Sequence, residues 1–157
     1  GSVILVFPES EYKIKNLEKS NTTYYAIRWK GERNMNFTNQ GASQSIIKNW
    51  ENIEFLKSEK GGRRNIIQEP TPLLSEFEMH VTTLNEGEKS HDPHMHIDEE
   101  IILVRFGEVE ELIDGKAHQV GPGSLIFLGS NVPHGIRNIG KGACEYYAFK
   151  WKIPEAK

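Results

Sequence analysis

His91-Asp92-Pro93-His94-Met95-His96-Ile97-Asp98-Glu99-Glu100 carries three good metal ligands, His94, His96 and Glu100, at a spacing that selects β structure. Side chains two residues apart share one face of a strand. His94 and His96 can therefore converge on one point, and Glu100 is in phase with both. On a helix, positions two apart diverge by about 200°, and Pro93 disfavours helical backbone at the residue before it. Imidazole nitrogens with one carboxylate suit a single divalent transition metal, Fe, Mn, Ni, Zn, Co or Cu, at a position open to substrate.

A fourth candidate ligand follows downstream. Gly121-Pro122-Gly123 leads into the apolar run Leu125-Ile126-Phe127-Leu128, and after a loop His134 enters another strand. Together the two stretches resemble the paired motifs of the cupin superfamily. Gly87-(six)-His94-x-His96-(three)-Glu100-(six)-Gly107 is similar to the first motif, with one extra residue after the glycine. Gly123-(five)-Gly129-x-Asn131-(two)-His134-(three)-Asn138 is similar to the second. Its usual proline and glycine are replaced by Gly129 and Asn131, at positions that shape a turn. All four ligand positions match. The resemblance covers roughly residues 43 to 152 and implies an all-β jelly-roll barrel or sandwich with a metal on His94, His96, Glu100 and His134. It implies no particular reaction, because such folds host many chemistries.

The remaining pattern agrees with an all-β fold. Leu74 to Leu84 alternates, with Phe77, Met79, Val81 and Thr83 on one face and Glu76, Glu78, His80 and Thr82 on the other. Ile101 to Phe106 is apolar on both faces, which predicts a strand covered on both sides. Asp114-Gly115 predicts a hairpin between Glu108–Ile113 and Lys116–Val120. Glu145 to Lys152 reads as the closing strand. Ser45 to Leu56, with Ile46, Ile47, Trp50 and Ile53, reads either as a weak helical spacing of one or two turns or as an irregular edge segment. Phe77, Met79, Ile102, Val104 and Phe127 are expected to line the barrel.

The front of the chain contains an internal repeat. Val3 to Lys30 aligns without gaps onto Leu125 to Lys152, and 9 of the 28 pairs are identical, among them Tyr24/Tyr146, Tyr25/Tyr147, Ala26/Ala148 and Trp29/Trp151. Chance would give about two. Tyr12 stands where His134 stands in the second copy. Residues 1–40 therefore read as an N-terminal β segment and linker, the degenerate back half of a second module, ahead of a barrel at 41–157. Val3–Phe7 and Thr23–Trp29 are expected to be strands that cover Ile101 and Leu103, in the same chain or across a homodimer. Gly1-Ser2 reads as a cloning remnant, which leaves open a truncated two-module protein and a removed secretion signal.

Composition narrows the function classes. Net charge is −3 over 157 residues with no basic run, which argues against nucleic acid as a partner. No apolar run approaches the ~18 residues of a membrane span. A soluble domain of the cytoplasm or periplasm is expected. The single cysteine, Cys144, reads as a small strand residue.

Three further groups are candidates for the site. His80 is a candidate acid or base, on a face that is either solvated or a polar pocket. Arg64 and Arg137 could hold an anionic substrate, although surface charge is the simpler reading of each. Asn138 could support the pocket, but Asn16 repeats it in the copy without a histidine, which favours a structural role. No arrangement for a covalent nucleophile is present. The expected function is thus a metal-dependent enzyme acting as a Lewis acid on a small oxygen-rich anion, a sugar acid or other carboxylate. Two other functions use the same ligands: an O2-dependent dioxygenase, and a module that binds or senses a small molecule without turnover. An acid or base inside the barrel separates the first from the others.

Overall fold

The computed structural model describes residues 1–37 and 45–155. Residues 38–44, across the expected boundary between linker and barrel, lie outside them. Eleven strands and one 3-10 turn, Trp50–Asn52, are present among the described residues. No helix there is long and apolar enough to cross a membrane.

The strands are β1 (Val3–Leu5), β2 (Ile46–Lys48), β3 (Leu56–Ser58), β4 (Gly61–Glu69), β5 (Glu76–Leu84), β6 (Glu99–Phe106), β7 (Val109–Ile113), β8 (Lys116–Val120), β9 (Leu125–Leu128), β10 (His134–Asn138) and β11 (Cys144–Lys152). They form a six-stranded sheet in the order β3-β4-β5-β11-β6-β9, a three-stranded sheet β10-β7-β8, and the pair β1-β2. This is a jelly-roll sandwich in which the large sheet is covered on both faces. β11 shows why. Residues 144–149 are all buried, as a central strand paired to β5 on one side and β6 on the other demands.

Alternation distributes the side chains to two cores. Ile102, Val104, Tyr146 and Ala148 point toward the small sheet and meet Val109 and Ile136. Leu103, Tyr147 and Phe149 point the other way, where Leu5 and Phe7 from the front of the chain cover them. The covering of Ile101 and Leu103 by the front of the chain is thus observed within one chain. Its form differs from expectation. β1 stops at Leu5 and pairs with β2, and Thr23–Trp29 forms no strand. The physical reason is that the slot used by its repeat, β11, is filled, and the matching edge of β5 is already bonded to β4.

Two of the residues expected to line the barrel belong to this outer core instead. Phe77 and Met79 pack with Leu103 and Phe149, and Phe127 is 53% exposed. The polar face of β5, with Glu78, His80 and Thr82, turns inward. The weak helical spacing of Ser45 to Leu56 yields only β2 and the 3-10 turn.

The turn chemistry behaves as the sequence predicts. β7 and β8 join through Asp114 (φ 47°) and Gly115 (φ 76°), the left-handed pair of a type I′ hairpin. Gly107 closes the β6–β7 turn at φ 81°, where an added Cβ would lie 2.5 Å from Cys144 Cβ. Asn131, at a position where the resembling motif carries glycine, adopts φ 57°. Asparagine tolerates that region better than other residues with a Cβ, so the turn geometry is kept.

Candidate metal centre

The backbone brings the two histidine stretches together. His94 N donates to His134 O at 3.0 Å and His134 N to His94 O at 2.9 Å, an isolated antiparallel bridge. Asn131 N donates to His96 O at 2.7 Å. These bonds hold His94 and His96, on the irregular segment before β6, against His134 at the start of β10. Glu100, near the start of β6, reaches the same place. The HxH spacing thus works as β geometry, although only His94 makes a formal bridge.

The side chains converge. One nitrogen from each of His94, His96 and His134 lies within 4.8 Å of the others. Glu100 Oε2 is 3.1 Å from His96 Nε2 and 3.4 Å from His134 Nε2. Backbone carbonyls orient two of the rings: His96 Nδ1 is 2.7 Å from Asp98 O and His134 Nδ1 is 2.8 Å from Val132 O. A carbonyl can only accept, so each Nδ1 carries the proton and each Nε2 presents its lone pair inward when the ring is neutral. This is the arrangement found around metal-bound imidazoles. His134 Nε2 is buried, and its one polar neighbour is the Glu100 carboxylate at 3.4 Å. Inward-facing lone pairs beside a carboxylate repel unless a proton or a cation lies among them. The donor set of His94, His96 and His134 could therefore hold a metal ion, with the Glu100 carboxylate against two of the three rings.

The protonation of the cluster follows from the same contacts. Burial opposes ionisation of Glu100, but hydrogen bonding and charge from His134 and His96 outweigh it and hold the carboxyl below its usual range. The contact with Glu100 raises His134 against the effect of burial. Burial, and then the neighbouring histidines, lower His94.

The cluster opens into a cavity of about 360 Å³ between the two sheets. His80 lines it from β5, as one of its two expected environments required. Burial, and then the charge of Arg63, push its imidazole down to about 4, so it is neutral at physiological pH. Its Nδ1 lies 3.5 Å from Glu78 Oε1, too poorly aligned to count as a hydrogen bond. Glu78 is held below the usual carboxylate range, since Lys150 and Arg63 together overcome its burial.

The other candidate substrate contacts lie elsewhere. Arg64 points to the outer face, because its register partner is Val81 rather than Thr82. Its guanidinium lies over Trp50 and Phe55, at 4.7 and 5.1 Å from the ring centroids, and donates to Ile53 O. Arg137 is exposed and pairs with Glu110 at 2.8 Å, on the outer side of the small sheet. Asn138 is buried away from the cavity. Its Nδ2 is within 3.1 Å of Leu84 O and Asn85 O and 2.8 Å of Gly142 O, and its Oδ1 accepts from Gly140 N. It ties the β10–β11 turn to the end of β5, the structural role that the repeat favours.

Sequence reasoning missed Arg63, Lys150 and Glu111, all of which line the cavity. Glu111 had a readable signal. Val109, Glu111 and Ile113 share one face of β7, and the two flanking residues are apolar, so a buried face must carry the carboxyl. Arg63 had none, because a bulge between Asn65 and Ile67 shifts the β4 register.

Comparison with known proteins agrees with this architecture. Among solved structures, an RmlC-like cupin from Shewanella frigidimarina superposes with a TM-score of 0.56 at 17% identity, covering 69% of this chain and 91% of the other. A sugar phosphate isomerase from a cupin superfamily, from Silicibacter pomeroyi, gives 0.54 at 20% identity, with 68% and 75% covered. The polyketide cyclase RemF from Streptomyces resistomycificus gives 0.54 at 18%, with 69% and 80% covered. At these identities the likeness is one of fold. No curated protein sequence matches the chain. Residues 80–150, which hold all four converging side chains, match the family model described as a cupin domain. The chain carries a cupin domain over these residues.

Proposed function

We propose that this chain is a metal-dependent enzyme acting on a small hydroxylated carboxylate, such as a sugar acid. The observation that carries the reading is the composition of one cavity wall. His80, Arg63 and Lys150 line the same cavity as the three converging histidines. A metal bound to His94, His96, Glu100 and His134 supplies Lewis acidity, polarising an oxygen of the bound molecule. Arg63 and Lys150 share Glu78, at 2.9 and 3.4 Å, and their remaining N–H groups favour the carboxylate of an anion. His80, neutral and part-buried, is placed to accept a proton from a hydroxyl or an adjacent carbon.

A wall of this kind favours the enzyme over the other two expectations. Capture without turnover needs no base, and O2 chemistry is served by an apolar lining. A sugar phosphate isomerase shares the fold, so the fold accommodates an anionic sugar derivative, although the residues and not the fold carry the reading.

The test is a turnover assay. Metal-reconstituted protein is incubated with uronates, keto acids and flavonoids, with and without oxygen, and products are followed by mass spectrometry. Oxygen-independent turnover of a uronate or keto acid, lost in His80→Gln with metal content unchanged, is the expected result. Turnover only with oxygen, with oxygen atoms incorporated, overturns the Lewis-acid reading. Tight retention of an intact ligand without product overturns the enzyme.

A further inference from the structure

Glu111 is the most deeply buried acidic side chain among the described residues, at 0% exposure. It sits in the middle of β7, opposite Ile136 on β10. Neither carboxyl oxygen has a well-aligned hydrogen-bond partner among the described residues, and the one donor beside the group is the backbone N–H of Gly135. Buried polar groups are nearly always paired, and an unpaired carboxyl is strongly unfavourable. The flanking residues on that strand face are Val109 and Ile113, and Ile136 lies across from it. A leucine would pack there and would be favoured by stability alone. A group that a fold keeps at a cost to its stability is characteristic of a functional position.

The direction in which the side chain points says what it serves. Glu111 lines the cavity that holds His94, His96, His134 and His80. It is not one of the converging ligands: it makes no contact within 4.0 Å of any histidine nitrogen, whereas Glu100 makes two. Gly135 N is the one backbone donor beside its two oxygens, so the fold leaves most of their hydrogen-bonding capacity unmet at the edge of the cavity. Across the cavity, on β5, the buried His80 Nδ1 also has no hydrogen-bond partner. Unpaired polar atoms from both sheets thus border one space.

The geometry points to Glu111 as a ligand-contacting residue, whose carboxyl group hydrogen-bonds an oxygen of the bound molecule remote from the one at the histidine cluster. The proposal rests on the function given above for the ligand class and narrows it. A ligand that engages both places needs two separated oxygen functions, as a uronic acid has and acetate has not. Glu111 then selects polyfunctional hydroxy acids over simple carboxylates.

Glu111→Leu and Glu111→Gln test this, each loaded with metal and assayed by titration calorimetry with D-galacturonate and, separately, acetate. Melting temperature is measured on the metal-free proteins at neutral pH. Expected are a metal content equal to wild type, galacturonate binding weakened about tenfold or more in Glu111→Leu, acetate binding unchanged, and a melting temperature raised in both variants. A melting temperature lowered in both variants overturns the proposal, because the carboxyl would then be a structural hydrogen-bonding group. Galacturonate bound equally by wild type and Glu111→Leu overturns the contact while leaving the proposed function standing. Metal-loaded wild type that binds no galacturonate overturns the ligand class, and this contact with it. Glu111→Gln preserves shape and keeps the stability comparison available if the leucine variant folds poorly.

Discussion

The indole of Trp29 stacks on the ring of Phe77, with centroids 5.5 Å apart and 24° between the planes. Phe77 is buried on the outer face of the large sheet, next to Phe149 at 6.2 Å. A segment without regular structure is thus anchored to the sheet by an aromatic contact, and β1 with Phe7 completes the cover. Trp29→Ala removes the stacking and uncovers Phe77. A loss of about 2 kcal/mol is expected, less than for a fully buried tryptophan because Trp29 is itself 36% exposed. The denaturant midpoint reports it. Removal of residues 1–37 uncovers Leu103, Tyr147 and Phe149 together, and the expected outcome is aggregation on size exclusion. A truncated chain that stays monodisperse with an unchanged midpoint would mean that the outer face needs no cover.

How far the sequence could be read follows from what each pattern encodes. The Asp114-Gly115 pair encodes backbone angles directly, so its hairpin forms as expected. The spacing of His94, His96 and Glu100 encodes a shared face, and these residues meet. The two apolar faces of β6 encode double coverage, which is found. Alternation along β5 is weaker information: it says which residues share a face, not which face borders the cavity. Phe77 and Met79, being apolar, read as the inner face, yet here a third layer buries the outer face and the polar residues surround the site. Arg64 against Arg63 is the same ambiguity, made worse by a bulge that no local signal announces.

Metal binding is the prediction on which the site depends most. Losing one imidazole leaves His94, His134 and Glu100, without the ring that Asp98 O orients. His96→Ala is expected to lose most of its metal, as measured by elemental analysis after dialysis against chelator. Arg137→Ala, which touches only Glu110 on the outside, is expected to keep wild-type metal content. Equal, near-stoichiometric metal in both variants would count against the four-residue centre.

Asn138 tests the distinction between a buried polar residue that serves the fold and one that serves the cavity. Asn138→Ala leaves the carbonyls of Leu84, Asn85 and Gly142 and the amide of Gly140 without their shared partner. A loss of about 2–4 kcal/mol is expected from chemical denaturation, since several buried groups lose their bonds together. Metal content should be unchanged in the folded fraction. A midpoint equal to wild type would show that solvent replaces the amide, and the turn would then need another anchor.

The last prediction concerns pH, where His80 and Glu111 oppose each other. Burial lowers His80 to about 4, so between there and its ordinary value of 6.5 the unfolded chain binds the extra proton. Its contribution is present above pH 6.5 and is lost as pH falls toward 4. Burial raises Glu111 from 4.5 to about 7, so over that range the folded chain holds the extra proton. Its contribution is present below pH 4.5 and is lost as pH rises through 7. Each shift corresponds to roughly 3 kcal/mol at its limit, and the two nearly cancel in the wild type across pH 4.5–6.5. Single variants expose the halves. Relative to wild type, His80→Gln should lose stability as pH rises from 4.5 to 7, because only the Glu111 effect remains. Glu111→Gln should gain stability over the same rise, because only the His80 effect remains. Denaturation of metal-free protein at half-unit pH steps measures both differences, and the remaining titrating groups cancel in the comparison with wild type. Two variants whose curves run parallel to wild type would show that neither group titrates on unfolding in this window, and that the cavity is wetter than its burial indicates.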